Sequence, residues 1–478
     1  MTVRVRFAPS PTGNLHIGTL RAALFNWLFA KAKKGTFVLR IEDTDRERSK
    51  PEFETNIYDG LKWLGFTPDE GPLEGGDFGP YRQSERIEQG VYHDIADRLI
   101  KEGKAYYCFL TDEDIQREKE SAIKKGIPYV HSRKSSEMSE SEIKNCLSEG
   151  KPYAIRFKMT EDKIITFKDS VRQTIEFDCS LISDFVLMKS DGTPSYNFAV
   201  VVDDALMAIT HVIRGEDHIS NMPRQLSLYE ALGYKVPEFA HLPMILGPDK
   251  SKLSKRHGAT AVTEYRDQGF LKESFMNYLA LLGWSPKDEQ ELLSEDELVS
   301  QFDLDRVHKS GAVFDIKKLV WMNGQYIRQI SDSQFSTLLR SYLSEDYQQK
   351  LSLLTEEKQH LALFSVRDNL DVLSDINTYI DVFLETESDY DSKSKDIVLN
   401  DDQRTVLSSF LSLSKECKSS EEFMGCLNSI CESLSLGKGK VFKPVRLAVT
   451  ARQSGPFIGD VLAFFGVDRL RERIQRCL

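Results

Sequence analysis

The chain lacks the paired cysteines that a zinc ribbon or a redox centre requires. Its seven cysteines stand singly, at Cys108, Cys146, Cys179, Cys417, Cys426, Cys431 and Cys477, with no C-x-x-C among them. An odd number of isolated thiols fits a reducing compartment. No run of 18 apolar residues occurs, which excludes a conventional membrane-spanning helix. A strand pattern begins within the first residues and leaves no space for a cleaved leader, so a cytoplasmic location is expected. The phosphate loop G-x-x-x-x-G-K-S/T and the dinucleotide fingerprint G-x-G-x-x-G are both missing. Basic residues are the minority, 63 against 74 acidic, for a net charge of -11. That total speaks against a nucleic-acid partner, although binding depends on where charge lies and not on its sum. At 478 residues the chain is too long for one core, and two to four domains are expected.

What is present begins at the N-terminus. Val3, Val5 and Phe7 alternate with Arg4 and Arg6, the period of a strand. Ile17, Leu20, Leu24, Trp27 and Leu28 recur at helical spacing, predicting an amphipathic helix to about Lys33. Pro9, Pro11, Gly13 and Asn14 form the loop between them. Such a strand–loop–helix aims the unpaired N–H groups and positive end of a helix above the sheet, where a phosphate fits. His16 can donate to a phosphate oxygen, and Gly18 permits close approach of a ligand. Alone, the stretch is also readable as an ordinary βα loop with a surface histidine, the lesser of the two readings.

Gly35 to Ile41 reads as a second parallel strand, completing a right-handed βαβ unit with Glu42-Asp43-Thr44-Asp45 at its carboxyl end. Ligands of open α/β sheets bind there, and a carboxylate can hold a cation. Glu52 to Leu64 reads as a helix ended by Gly65, and Tyr81 to Tyr107 as helical. Residues 86–193 form an expected α+β insertion, rich in Glu, Lys and Ser over Thr111 to Gly150, with strands at Tyr153–Met159 and Ile164–Phe167. Phe185 to Pro194 is a strand closed by an Asp-Gly turn. An apolar run, Tyr196 to Val202, follows and is ended by Asp203-Asp204. The βα alternation then returns with Ile209–Arg214 and a helix ending at Gly233. From about Asp315 the pattern is helical to the end, with Leu351–Leu373, Asp402–Leu413 and Glu422–Leu434 as examples. Lys443, Arg446, Arg452, Arg469, Arg471, Arg473 and Arg476 make that end locally basic, a candidate nucleic-acid face or ordinary surface charge.

The second chemical element is Asp249-Lys250-Ser251-Lys252-Leu253-Ser254-Lys255-Arg256-His257-Gly258. Closely spaced cations on a loop suit a triphosphate on which charge develops. Alone, this too reads as a solvated basic loop.

Together the two stretches resemble the paired motifs of class I aminoacyl-tRNA synthetases: His16-Ile17-Gly18-Thr19 the HIGH motif, Lys252-Leu253-Ser254-Lys255-Arg256 the KMSKS motif. Thr19 and Leu253 depart from those patterns. Arg6–Gly13, Arg40–Asp45, Tyr196–Asp204 and Ile213–His218 are similar to the bacterial-type glutamyl-tRNA synthetases. Phe314–Asn323 and Pro444–Thr450 extend the resemblance over nearly the whole chain.

The resemblance implies an α/β Rossmann-like (HUP-type) parallel-sheet catalytic domain at 1–85 and 194–247, split by an acceptor-binding insertion at 86–193. A stem-contact region at 248–325 and two all-α anticodon-binding domains at 326–390 and 391–478 would follow. It implies ligation of L-glutamate to tRNA(Glu) through glutamyl-adenylate, with ATP and Mg2+, by a monomer. Charging of tRNA(Gln) stays open. His16, Gly18, Lys252 and Lys255 are the implied catalytic residues. Asp217, His218, Ile245, Ser254 and Arg256 join them around ATP. Arg6, Ala8, Ser10, Glu42, Tyr196 and Arg214 are implied around glutamate. Some relatives carry a Cys-x-Cys zinc knuckle where Cys108-Phe109-Leu110 stands; Cys146 and His131 lack ligand spacing, so no structural zinc is expected. A small-molecule nucleotidyltransferase would share both motifs but not the helical last third. A non-enzymatic tRNA-binding paralogue would not need the complete set.

Overall fold

The first expected strand forms over Arg4–Phe7 (β1), yet Arg6 is as buried as its neighbours. The reason is position: β1 lies inside a sheet, between two parallel strands, so neither face is left to solvent. The computed structural model describes all residues but 1, 127–128, 161–162, 255, 257–260 and 396. It divides into two units, Met1–Glu264 with Met276–Asp315 and Tyr265–Phe275 with Ile316–Leu478. Among the described residues no helix is long and apolar enough to cross a membrane.

The first unit is built on six strands in the order β2-β1-β8-β9-β5-β6. These are β2 (Thr36–Leu39), β5 (Ile164–Asp169), β6 (Gln173–Asp178), β8 (His211–Gly215) and β9 (Glu238–Leu242) beside β1. All neighbours are parallel except the hairpin β5–β6. A smaller antiparallel sheet, β3-β4-β7, comprises Ala105–Cys108, Ala154–Phe157 and Phe185–Met188. The expected insertion is therefore not of one piece. Its strand at Ile164 leaves the small sheet and extends the main one, pairing Asp169 with Phe239.

Between β1 and β2 runs α1 (Ile17–Ala32), and here the amphipathic expectation fails. Leu20, Ala23, Leu24, Phe25, Asn26 and Leu28 are all buried, so the helix is covered on nearly every side. One cover is Phe302, whose ring meets Phe25 edge-on at 5.2 Å. α2 (Pro51–Leu64) ends at Gly65, which takes φ 78° as a left-handed cap. The stretch expected as one helix to Tyr107 is two, α3 (Gln83–Glu88) and α4 (Val91–Lys101), before β3. α5 (Asp112–Lys125) and α6 (Glu140–Ser148) both open with capping boxes, Thr111 with Asp114 and Ser139 with Glu142.

The run Tyr196–Val202 belongs to α7 (Tyr196–Leu206), and Asp203 and Asp204 lie inside this helix rather than ending it. Both are buried because arginines reach them: Arg6 and Arg40 at Asp204, Arg86 at Asp203. α8 (Met222–Leu232) ends at Gly233 as expected.

The second unit is helical, from Ile316–Gln329 to Ile458–Cys477. One apolar cluster runs from Leu271 and Ile327 through Phe335, Val406 and Phe423 to Ile474. The expected Leu351–Leu373 stretch is divided: Glu345–Ser352 and Glu356–Phe364 are separate helices, the second capped by Thr355. Gly437 is the N-cap of helix Lys438–Thr450, so the Gly-Lys-Gly-Lys stretch starts a helix. The basic C-terminal end is largely paired within its own unit. Arg469, Arg473 and Arg476 meet Glu387, and Arg452 meets Asp381. Arg446 donates to the Pro456 carbonyl.

Candidate active site

Above the carboxyl ends of β1, β2 and β8 opens a cavity of about 1190 Å³, all within the first unit. Among its lining residues are Arg6, Ala8, Ser10, His16, Gly18, Glu42, Tyr196, Arg214, Asp217, His218, Ile245, Lys252 and Ser254. Residues scattered over 250 positions are thus brought to one hollow. Lys255 lies outside the described residues. Arg256 does not line the cavity; its guanidinium donates to Asp249 and Ser251 of its own loop, at 2.9 and 2.7 Å.

His16 is the N-cap of α1, and its Nδ1 accepts from the Thr19 N–H at 3.3 Å. One ring nitrogen is therefore spent on the helix, and the neutral ring carries its proton on Nε2, 2.9 Å from the Thr19 hydroxyl. Burial, helped by Lys252, lowers the His16 pKa, with Asp217 opposing. Gly18 has a role beyond ligand approach: a Cβ there would stand 3.3 Å from the His16 ring. The cationic loop is held by a tight turn, with Leu253 N–H on the Ile245 carbonyl and Gly247 N–H on the Ser251 carbonyl. The Ile245 carbonyl is thus engaged by the loop itself. Lys252 stands 4.0 Å from Asp217.

Opposite lies a buried charge network. Glu42 is set by its backbone N–H on the Pro9 carbonyl, at 3.0 Å. Its carboxylate pairs with Arg40 at 2.9 Å, and Arg40 also pairs with Asp204 at 2.7 Å. Arg6 joins through its Nε, 3.1 Å from Asp204. Burial is the largest influence on both acids. At Glu42 it prevails over Arg40 and raises the pKa. At Asp204 it is outweighed by Arg6 and Arg40 together, and the pKa falls.

Arg214 is different. It is buried, and among the described residues no carboxylate pairs with it. Its neighbours are neutral: His241, Gln225, Met222 and the Tyr196 hydroxyl. Burial is the largest influence and lowers its pKa; the charge of Arg6 acts the same way and Asp204 opposes it. The Tyr196 hydroxyl lies 2.9 Å from His218 Nδ1, and burial with Arg214 nearby pushes His218 down to about 4. Such a hollow can take a zwitterion, its ammonium at Glu42 and a carboxylate at Arg214.

The chain matches the family model for the catalytic domain of class I tRNA synthetases (E and Q) over residues 2–321, and that for an anticodon binding domain over 334–478. It belongs to the class I tRNA synthetases. Curated relatives of that family include the glutamate–tRNA ligase of Carboxydothermus hydrogenoformans, 43% identical over 99% of both chains. That of Aquifex aeolicus is 44% identical over 100% of this chain and 98% of its own. Among solved structures, a glutamate tRNA ligase from Elizabethkingia meningosepticum, in complex with its amino acid, is 36% identical with a TM-score of 0.89. The match covers 100% of this chain and 99% of that one. The Rossmann-like parallel sheet and the helical anticodon region expected from the resemblance are the observed architecture.

Family resemblance had not singled out Arg21, Arg40, Asp169, Asp204 or His241. Arg21 lines the cavity from within α1 and is held by the Leu282 and Pro243 carbonyls; burial lowers it to about 10. A lone arginine in an apolar helix was the available signal. The others had none, since their partners are up to 198 residues away. The zinc argument also shifts. His131 Nε2 does reach Cys108 Sγ, at 3.5 Å, although chain spacing hid the pair. Among the described residues no three potential ligands gather for a metal.

Proposed function

We propose that the chain joins L-glutamate to tRNA(Glu) at this cavity, in two steps, with ATP as co-substrate and Mg2+ as its counterion. The observation that carries the reading is one cavity holding a buried carboxylate, Glu42, and a buried arginine, Arg214, that pairs with no acid among the described residues, beside the N-terminus of α1. Glutamate supplies the missing charges. Its ammonium meets Glu42, while Arg6 and Arg214 take carboxylates, with Ala8, Ser10 and Tyr196 closing the pocket. A site that must pair a full charge at Arg214 disfavours the isosteric amide, because a buried cation would stay unpaired.

ATP then lies between α1 and the cationic loop. His16, Gly18, Lys252, Ser254, Lys255 and Arg256 serve its phosphates, with Asp217, His218 and Ile245 on the nucleoside side. An oxygen of the glutamate α-carboxylate attacks the α-phosphorus and pyrophosphate leaves. The terminal hydroxyl-bearing adenosine of tRNA next attacks the activated carbonyl and AMP leaves. No protein nucleophile is needed; placement and charge stabilisation do the work. Mg2+ arrives with ATP, and no step is routed through it. The acceptor end of tRNA is assigned to residues 86–193, its stem to 248–325, and its anticodon to the helices at 326–390 and 391–478. A cytoplasmic monomer completes the reading.

The test is pyrophosphate exchange and charging on purified tRNA(Glu) and tRNA(Gln), each with glutamate or glutamine. Glutamate charging of tRNA(Glu) is expected. Exchange with another amino acid, or none in the presence of tRNA, overturns the reading.

A further inference from the structure

Arg214 is aimed by a chain of buried contacts that begins on a strand outside the βα units. Asp169 is the last residue of β5, the strand that leaves the small sheet to join β9. Its Oδ1 accepts the N–H groups of Val171 at 2.9 Å and Arg172 at 2.7 Å. Its Oδ2 lies 2.6 Å from Nδ1 of His241, on β9. Both side chains are wholly buried. His241 Nε2 in turn lies 3.2 Å from Nε of Arg214, on β8.

Donors and acceptors determine the protons. A carboxylate that accepts two backbone N–H groups is ionised, and hydrogen bonds from His241 and the backbone outweigh burial to lower the Asp169 pKa. The proton between Asp169 and His241 therefore sits on Nδ1. Arg214 Nε can only donate, so Nε2 must offer its lone pair. His241 is then a neutral ring of one tautomer. Gln225 Oε1 takes one proton of Arg214 Nη2 at 2.8 Å. With Nε given to His241 and Nη2 to Gln225 and the Met222 sulfur, the guanidinium can meet a carboxylate only through Nη1, beside the Tyr196 hydroxyl.

A neutral partner has a consequence that an acid would not. Asp204 and Glu42 cancel the charge of Arg40 by direct pairing. Asp169 reaches Arg214 only through an imidazole, so it orients the guanidinium and leaves its charge for the ligand.

We infer that His241, locked by Asp169, is a positioning residue that aims Arg214 at the carboxylate distinguishing glutamate from glutamine. The inference rests on the glutamate reading of the cavity and deepens it. His241 touches no substrate; it acts through Arg214.

The experiment is steady-state, tRNA-dependent pyrophosphate exchange on the full chain, comparing wild type with His241→Ala, His241→Asn and Asp169→Asn. In His241→Ala the KM for glutamate rises about tenfold or more while the KM for ATP and kcat stay within about threefold. The preference for glutamate over glutamine falls by a similar factor. His241→Asn, whose amide oxygen can still accept from Nε, recovers much of that loss. Asp169→Asn shifts glutamate KM in the same direction as His241→Ala. A folded His241→Ala with unchanged glutamate KM and unchanged preference overturns the inference. Should that variant not fold, Asp169→Asn decides: wild-type glutamate KM and preference in it overturn the inference. Wild-type protein that activates no glutamate overturns the functional reading instead, so the two failures are distinct.

Discussion

Glu42 illustrates how a residue can be placed against its own stability. Burial raises its pKa despite Arg40. A raised folded pKa means that the group favours folding fully below its unfolded value, near pH 4, and loses that contribution as pH rises through the folded value. At neutral pH the ionised form therefore carries a cost. Glu42→Gln should melt at the same temperature as wild type or higher at pH 7, with the difference shrinking toward about pH 4. The same substitution removes the partner of the substrate ammonium, at a cost of about 2–5 kcal/mol in binding. Calorimetric melts and glutamate KM on one preparation check both. In wild type the KM should begin to rise on acidification at a higher pH than an ordinary carboxylate would give.

Gly18 makes a similar trade. An added Cβ would lie 3.3 Å from the His16 ring, while alanine is the better helix former by about 0.5–1 kcal/mol. Gly18→Ala is expected to keep or raise the melting temperature and lower exchange activity by about tenfold through a displaced imidazole. Full activity in that variant would show that the ring has room to give way.

At the scale of elements, the strands and helices of the βα units were legible where apolar spacing was regular. β2, α2 and α8 lie close to their expected bounds. The misses share a cause: burial on more than one side erases the period that sequence reading depends on. α1 is covered on nearly every side, and α7 carries two acids in its interior because arginines from β1, from the residue after β2 and from α3 reach them. None of these three arginines is near α7 in sequence. Leu271 gives a test at this scale. It lies among residues of the first unit in sequence, yet packs in the helical cluster, with its N–H on Asn323 at 2.8 Å. Leu271→Ala should cost about 2–5 kcal/mol and lower the transition of the helical unit alone. A shift confined to the catalytic unit would contradict that assignment.

At the scale of the molecule, a chain of net charge -11 has to hold a polyanion. Several arginines that made the C-terminal end basic on paper are paired internally, notably Arg469, Arg473 and Arg476 with Glu387. Affinity for tRNA then rests on cations elsewhere and on local field, and should fall steeply with salt, by roughly 0.7–0.9 in log affinity per log salt for each phosphate neutralised. Binding measured from roughly 50 to 200 mM salt checks this; a flat response refutes it.

Sequence alone determined the family and singled out residues that line one cavity, because local motifs around His16 and Lys252 carry their own chemistry within a few residues. It also determined the parallel βα start and the helical last third, which follow from short-range apolar period. Only the tertiary structure decided how the site's charges are held. Arg6 and Glu42 are tied through Arg40 and Asp204, and Arg214 is aimed by His241 and Asp169, with every link but Arg40–Glu42 spanning 27 to 198 residues. Electrostatic pairing in a buried core depends on distance in space and on desolvation, and neither has a signature in the linear spacing of residues.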